Sequence, residues 1–116
     1  MPIPPMLAEA MLRFAKRIVA VQQEKLDTPY PPASKPGQYP RKRTGNLQRS
    51  VDVRPRTVRE IERTGQMRIG YLQRAWYGVI LEFDMDRKSL ADTINGLLGG
   101  RSLPDGLTHT RDRSTL

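Results

Sequence analysis

Residues 5–26, PMLAEAMLRFAKRIVAVQQEKL, form the longest periodic stretch of the chain and decide its architecture. Apolar side chains recur in it at steps of three and four, which is the spacing of one face of an α-helix. Pro5 suits the first turn of such a helix, where no backbone donor is needed. Residues 27–29, Asp-Thr-Pro, end it, because the residue before a proline avoids helical angles. The pattern predicts a long amphipathic helix that buries Leu7, Met11, Phe14, Ile18 and Val21.

The middle of the chain predicts a small β-sheet behind this helix. Thr44-Gly45-Asn46-Leu47 is typical of a short helical turn, with the Thr44 hydroxyl near a backbone N–H. Residues 50–58 and 66–72 each alternate apolar and polar side chains, which indicates two strands. Pro55 predicts an edge strand or a bulge, since proline cannot donate to a sheet. We expect the two strands to pair as an antiparallel hairpin.

Two further helical segments are expected after the hairpin. Residues 74–83, RAWYGVILEF, are the most apolar stretch and suit either a helix or a strand, of which a helix is favoured. Trp76 is expected in the core, and Tyr77 is left open. Residues 87–98 predict a last helix that ends at Gly99. Asp84 or Asp86 is expected to cap this helix, and Leu90, Ile94 and Leu97 are expected to form its buried stripe.

Composition limits the class of protein. The chain has 116 residues, enough for one domain, and its hydrophobic fraction of 37% predicts a thin core that packs partly against partners. The absence of cysteine excludes a disulfide framework and thiolate zinc sites. No apolar run approaches the ~20 residues that span a bilayer, and no signal peptide is evident. The chain is expected to be soluble and intracellular when made.

The sequence predicts one α+β domain over residues 1–98 and an extended tail over residues 99–116. The tail has no periodicity and little to bury, so it is expected to be disordered alone and ordered by a neighbouring chain. His109, the single histidine, lies in this tail and is expected to be solvated.

Residues 30–50 are predicted to protrude as a proline-stiffened basic loop, named here the basic arm. The wider stretch 35–63 holds nine basic and three acidic residues, which is most of the net charge of +8. Stiffness lowers the entropy lost when such a loop docks, so the arm is predicted to contact a partner. The predicted contact residues are Tyr39, Arg41, Lys42, Arg43, Thr44, Arg49, Arg54 and Arg56.

Catalysis is the weaker interpretation. The carboxylates Glu82, Asp84 and Asp86 could hold a divalent cation, but helix capping explains the two aspartates without a metal. No serine has a base that the sequence can identify, and no glycine loop for phosphate is present. We therefore predict no enzyme activity, no metal and no cofactor.

Three segments in this order resemble a known family. PGQYPRKRTGNLQRSV (36–51), AWYGVILEF (75–83) and DRKSLADTINGL (86–97) are similar to motifs of the small neck and minor-tail proteins of long-tailed bacteriophages, the gene-10-product-like tail-component family. Asp84 departs from the pattern, because the family usually has glycine there. The matching residues are Thr44, Gly45, Leu47, Ser50, Val51, Trp76, Tyr77, Glu82, Phe83, Arg87, Leu90, Thr93 and Ile94.

The resemblance implies a non-enzymatic virion protein that joins head to tail as a neck or tail-completion ring, sixfold by analogy with the tail. Its partners would be copies of itself, portal-side or head-completion proteins, tail-tube proteins and DNA in the channel, with no membrane. It would be made in the host bacterial cytoplasm and reside in the virion. The alternative is a stand-alone nucleic-acid-binding module that uses the basic stretch 35–63.

Overall fold

The computed structural model describes residues 2–28, 36–39, 45–78, 82, 88–109 and 116. These residues form a small α+β domain with a long N-terminal helix, a three-stranded sheet and a C-terminal helix, which confirms the predicted class. In chain order the elements are α1 (Pro5–Lys25), α2 (Asn46–Arg49), β1 (Val51–Arg54), α3 (Val58–Thr64), β2 (Met67–Tyr71), a 3₁₀ helix (Gln73–Ala75), α4 (Leu90–Leu98) and β3 (Leu107–His109).

Helix α1 has the predicted length but turns a different face to the core. Met11 and Ile18 are buried as predicted, whereas Leu7 is 46% exposed and Phe14 is only partly buried. Ala8 and Ala15 occupy the centre of the buried face, and their small side chains leave room for the large side chains opposite them. The prediction that Leu7 and Phe14 are buried is therefore wrong for Leu7 and only partly right for Phe14. The buried residues are Ala8, Met11, Leu12, Ala15, Ile18 and Gln22.

The first two strands pair antiparallel as predicted, with Val53 opposite Ile69. They are not joined by a hairpin turn, because helix α3 lies between them. Thr57 caps α3 by accepting a hydrogen bond from the Glu60 N–H at 3.4 Å, and Ile61 is fully buried. β1 ends at Arg54, directly before Pro55, and is an edge strand of the sheet. The predicted edge position is confirmed for β1, but Pro55 lies beyond the strand and the predicted strand 50–58 is too long. The predicted hairpin connection is wrong.

The third strand comes from the segment that was predicted to be a tail. β3 pairs parallel with β2, with Leu107 opposite Met67 and His109 opposite Ile69. Leu107 is 3% exposed and His109 is 6% exposed. The predictions that this segment has little to bury and that His109 is solvated are therefore wrong. Residues 110–115 lie outside the described residues, and the backbone N–H of Leu116 donates to the Tyr71 carbonyl at 2.9 Å.

A close backbone contact precedes β3. Gly106 has φ +87°, and a Cβ at this position would lie 2.1 Å from the Gly65 carbonyl oxygen. The Gly106 carbonyl accepts a hydrogen bond from the Met67 N–H at 2.7 Å. Only glycine permits both the angle and the contact, so Gly106 allows β3 to dock against β2.

Local capping residues determine where helix α4 begins and ends. Ser89, not Asp84 or Asp86, is the N-cap, and its backbone N–H donates to the Asp92 carboxylate at 2.7 Å. The predicted cap is therefore wrong. Gly99, with φ 58°, ends the helix as predicted. Leu90 and Ile94 are buried as predicted, and Leu97 is half-buried.

The core lies between α1, the sheet, α3 and α4. Its largest apolar cluster includes Met11, Ile18, Ile61, Ile69 and Ile94. A smaller cluster at the other end of the sheet contains Leu26, Val51 and Tyr71. Among the described residues, no helix is both long enough and apolar enough to cross a bilayer.

Candidate subunit-contact surface

The structure places residues 36–39 of the basic arm on the body of the domain. Tyr39 is half-buried, and its hydroxyl forms a 2.8 Å hydrogen bond with Thr93 Oγ1 of α4. The Gln38 carbonyl accepts from the Lys88 N–H at 3.0 Å. Four predicted contact residues lie outside the described residues: Arg41, Lys42, Arg43 and Thr44. Tyr39 therefore anchors residues 36–39 of the arm, shortly before the basic residues 41–43 in the sequence, instead of protruding.

The remaining predicted contact residues do not gather at one place. Arg49 ends α2, just before β1, whereas Arg54 and Arg56 lie at and beyond the far end of β1. Asp52 forms ion pairs with both of these arginines, and its carboxylate oxygen lies 3.2 Å from the guanidinium nitrogen of Arg54. Their positive charge is thus partly neutralised within the domain.

An exposed aromatic side chain lies near Arg49. Trp76 follows the 3₁₀ helix and is 61% exposed, so the expectation that it belongs to the core is wrong. Its ring packs edge-on against Tyr77, with centroids 6.1 Å apart at 80°. We call this surface the Trp76 patch; it consists of Asn46, Arg49, Arg74, Trp76 and Tyr77.

Side-chain hydrogen bonds hold the Trp76 patch in place. The Asn46 amide donates to the Arg74 carbonyl at 3.1 Å and to the Tyr77 hydroxyl at 2.9 Å. The Arg74 guanidinium donates to Ser50 Oγ at 2.9 Å and to the Arg49 carbonyl at 3.0 Å. The patch therefore links α2 to the segment after β2, and the backbone that carries the indole is fixed from both sides.

The turn after Trp76 is tightly packed. Gly78 lies so close to the side chains of Leu47 and Tyr71 that a Cβ there would be 2.7 Å from the first and 2.8 Å from the second. Position 78 therefore requires glycine unless these side chains move.

A chain of buried polar groups lies directly behind the patch. The Gln22 amide donates to the Tyr71 hydroxyl at 3.3 Å, and that hydroxyl donates to Glu82 Oε1 at 2.9 Å. Thr93 Oγ1 donates to Gln22 Oε1, and it also bonds to Tyr39. This polar network, formed by Gln22, Tyr39, Tyr71, Glu82 and Thr93, connects α1, β2 and α4 with two loop residues.

Glu82 holds the start of α4 in this network. Its carboxylate accepts the backbone N–H of Leu90 at 2.7 Å and that of Ala91 at 3.4 Å, where the helix dipole favours a negative charge. Burial raises the pKa of Glu82, and the hydrogen bonds from Leu90, Tyr71 and Ala91 only partly offset this effect. Burial likewise raises the pKa of Tyr71.

The metal hypothesis for the acidic cluster receives no support from Glu82. Its carboxylate oxygens already accept hydrogen bonds from the domain. The other two carboxylates of the predicted cluster, Asp84 and Asp86, lie outside the described residues. No group of three or more potential metal ligands occurs within the part of the chain that the structure describes.

Comparisons of the chain with protein-family models, with curated proteins and with solved structures find no match.

Proposed function

We propose that this chain is a structural virion protein of a tailed bacteriophage, which joins head to tail as a subunit of a neck or tail-completion ring. Two kinds of observation support the proposal. The first is the sequence resemblance over residues 36–51, 75–83 and 86–97. The second, on which the proposal depends most, is the exposure of Trp76 on a hydrogen-bonded platform.

An exposed tryptophan among hydrogen-bonded neighbours suits a subunit contact for physical reasons. Trp, Tyr and Arg are the side chains that most often supply the binding energy of protein interfaces, and the Trp76 patch contains all three. Because the platform is already ordered, covering the indole costs little side-chain entropy. Removing such an anchor costs 2 kcal/mol or more in typical interfaces, roughly a 30-fold loss of affinity.

The basic arm supplies a second contact in this proposal. Arg54 and Arg56 share Asp52, so we assign the main electrostatic contact to Arg41, Lys42 and Arg43. Their partners would be acidic surfaces of adjoining portal-side, head-completion or tail-tube proteins, or DNA in the channel. Contacts of this kind give speed and specificity of docking more than affinity.

The mass of the purified protein in solution tests the ring. We expect a homo-oligomer, six copies by analogy with the tail, that Trp76→Ala converts to monomers at the same concentration. Gln66→Ala alters another exposed residue at the opposite end of β2 and should leave the mass unchanged. A single-copy mass for all three proteins at high concentration would rule out a self-assembling ring.

Charge reversal tests the arm. The triple variant Arg41→Glu, Lys42→Glu, Arg43→Glu should block the joining of heads to tails while the unfolding midpoint of the isolated domain changes little. Normal joining by this variant would remove the arm from the proposal without removing the Trp76 patch.

The Trp76 patch also favours a second candidate, the nucleic-acid-binding module. An exposed indole near Arg49 could stack on a base while the basic stretch 35–63 contacts phosphates. This function requires the monomer to bind single-stranded or double-stranded nucleic acid of any sequence with a submicromolar dissociation constant. The logarithm of the binding constant should fall linearly with the logarithm of the salt concentration. A ring component should bind nucleic acid weakly as a monomer. Measuring nucleic-acid binding by the monomer over a range of salt concentrations therefore distinguishes the two functions.

A further inference from the structure

Helix α1 carries a second apolar surface outside the core. Leu7 is 46% exposed, Ala10 is exposed and Phe14 is only partly buried, and these residues follow one another along one face. Ala10 and Phe14, together with Leu97 of α4, border a surface hollow of about 330 Å³, and Leu7 lies one turn before Ala10 on the same face. We call it the α1 hollow; its lining residues are Ala10, Arg13, Phe14, Arg17 and Leu97.

The chemistry of the α1 hollow restricts what can cover it. Its lining combines the apolar side chains of Ala10, Phe14 and Leu97 with the exposed arginines Arg13 and Arg17. Two hollows facing each other across a symmetry axis would bring four positive charges together, which disfavours that arrangement. An uncharged aromatic ring avoids the repulsion, covers the apolar side chains and presents an electron-rich face to the arginines.

We infer that the α1 hollow of one copy receives Trp76 of the next copy. The inference rests on the proposed assembly into a ring and identifies the two surfaces that meet. Trp76 is the large aromatic side chain that the described part of the chain leaves mostly exposed, and Arg13 and Arg17 offer it cation–π contacts. The indole of Trp76 thus suits both the apolar and the cationic residues that line the hollow.

The two surfaces lie apart on the same molecule. The Trp76 patch is attached to α2, whose Gln48 amide donates to the Gln23 carbonyl near the end of α1 at 3.0 Å. Gln23 follows Ala10 by about 20 Å along the helix, at ~1.5 Å per residue. A contact between two different surfaces is heterologous, and it repeats from copy to copy until it closes as a ring or continues as a filament.

A mixing experiment tests this arrangement. Trp76→Ala removes the inserted side chain, and Ala10→Glu fills the hollow and places a carboxylate beside Arg13, three residues on. Each variant alone should be monomeric, with an association at least tenfold weaker than that of the wild type. Mixed in equal amounts, they should form dimers and nothing larger, because only the Trp76 of one variant and the hollow of the other remain intact.

Ala20→Glu is the matched control. Ala20 is exposed on the same helix but lies outside the hollow, so this variant alone should assemble like the wild type. Mixed with Trp76→Ala, it should behave as the wild type does in the same mixture, because its own Trp76 can still enter the intact hollow of Trp76→Ala. All three variants alter exposed positions, and equal unfolding midpoints in urea would establish that each is folded.

A covalent test keeps Trp76 and Ala10 unchanged. The chain has no cysteine, so each variant carries a single thiol. A mixture of Gln73→Cys and Leu7→Cys copies should form a disulfide-linked dimer on oxidation. A mixture of Gln73→Cys and Ala20→Cys copies should not.

The outcomes separate the two proposals. If the wild type assembles and Ala10→Glu assembles equally well, the hollow is not the contact, and the ring proposal stands without it. If the mixed variants stay monomeric and no cross-link forms, the contact is not between these two surfaces. If the wild type stays a single copy at every concentration, the ring proposal fails and this inference fails with it.

Discussion

The two ends of the core differ in what holds them together. Between α1, the sheet and α4, large apolar side chains such as Ile18, Ile69 and Ile94 pack with almost no exposure. Around Tyr71, at the other end of β2, the apolar cluster is small and a polar network does much of the work. The first end depends on non-directional burial, and the second depends on hydrogen bonds of defined geometry.

This difference matters because the proposed contact surface lies at the polar end. Tyr71 packs beneath Gly78, two residues after Trp76, and its hydroxyl belongs to the network that holds Tyr39 and Glu82. Apolar packing tolerates small shifts, whereas a network that loses one member leaves buried polar groups unsatisfied. We therefore expect the apolar end to set the stability of the domain and the polar end to set the geometry of its surface.

The largest loss of stability is expected from Ile69→Ala at the apolar end. Ile69 is fully buried in the central strand, so truncation leaves a cavity and should lower the free energy of unfolding by about 2–5 kcal/mol. Urea unfolding measures this change. A loss below about 1 kcal/mol would mean that the apolar end is not tightly packed.

A smaller loss is expected from Tyr71→Phe at the polar end. The hydroxyl accepts from Gln22 and donates to Glu82, so its removal leaves two buried polar groups short of one partner each. The free energy of unfolding should fall by about 1–3 kcal/mol. Tyr77→Phe removes a hydroxyl that accepts one bond from Asn46 at the surface, and it should cost clearly less. Equal losses for the two variants would contradict the importance of the network.

A still smaller loss is expected from Tyr39→Phe. Thr93 keeps its hydrogen bond to Gln22 after the Tyr39 hydroxyl is removed, so the cost should be about 0.5–1.5 kcal/mol. The same variant should speed trypsin cleavage after residues 41–43, because Tyr39 anchors the segment that closely precedes them in the sequence. Unchanged cleavage would show that this hydroxyl does not restrain the arm.

Glu82→Gln should remove a pH-dependent contribution to the stability of the domain. Burial raises the pKa of Glu82 in the folded state above its value of about 4.5 in the unfolded chain, so the folded state binds the proton more tightly. This contribution to stability is fully present below the unfolded pKa and is lost as pH rises through the folded pKa.

Measured from about pH 7 to about pH 4, the free energy of unfolding of the wild type should therefore rise relative to that of Glu82→Gln. Urea unfolding of both proteins at each pH gives this difference, in which the contributions of the other carboxylates cancel. A difference that falls on acidification would mean that the hydrogen bonds from α4 outweigh burial.

The order and class of the main elements could be predicted from the sequence, because they follow local signals. Helix α1 shows its period over five turns, and Gly99 ends α4 at the expected residue. Helix α3 was missed because its seven residues bury only Ile61, which leaves no period to detect. β3 was missed because its three residues pair with a strand almost forty residues earlier, and only tertiary contacts identify that partner.

The contact surface was harder to predict than the fold. The charge of the basic arm is visible in the sequence, but the ion pairs of Asp52 with Arg54 and Arg56 are not. Trp76 was assigned to the core because an aromatic residue in an apolar stretch is usually buried. Its exposure depends on how residues 74–78 pack against α2 and β2, and contacts between distant parts of the chain are not visible in the sequence.

The position of Trp76 has a practical consequence for spectroscopy. It is the only tryptophan of the chain, and it lies mostly in water in a single copy. Its fluorescence should therefore be red-shifted in the folded monomer and should change little when the domain unfolds. A blue shift on concentration would report a neighbouring molecule closing over the indole, so the native protein carries its own optical signal for association without any label.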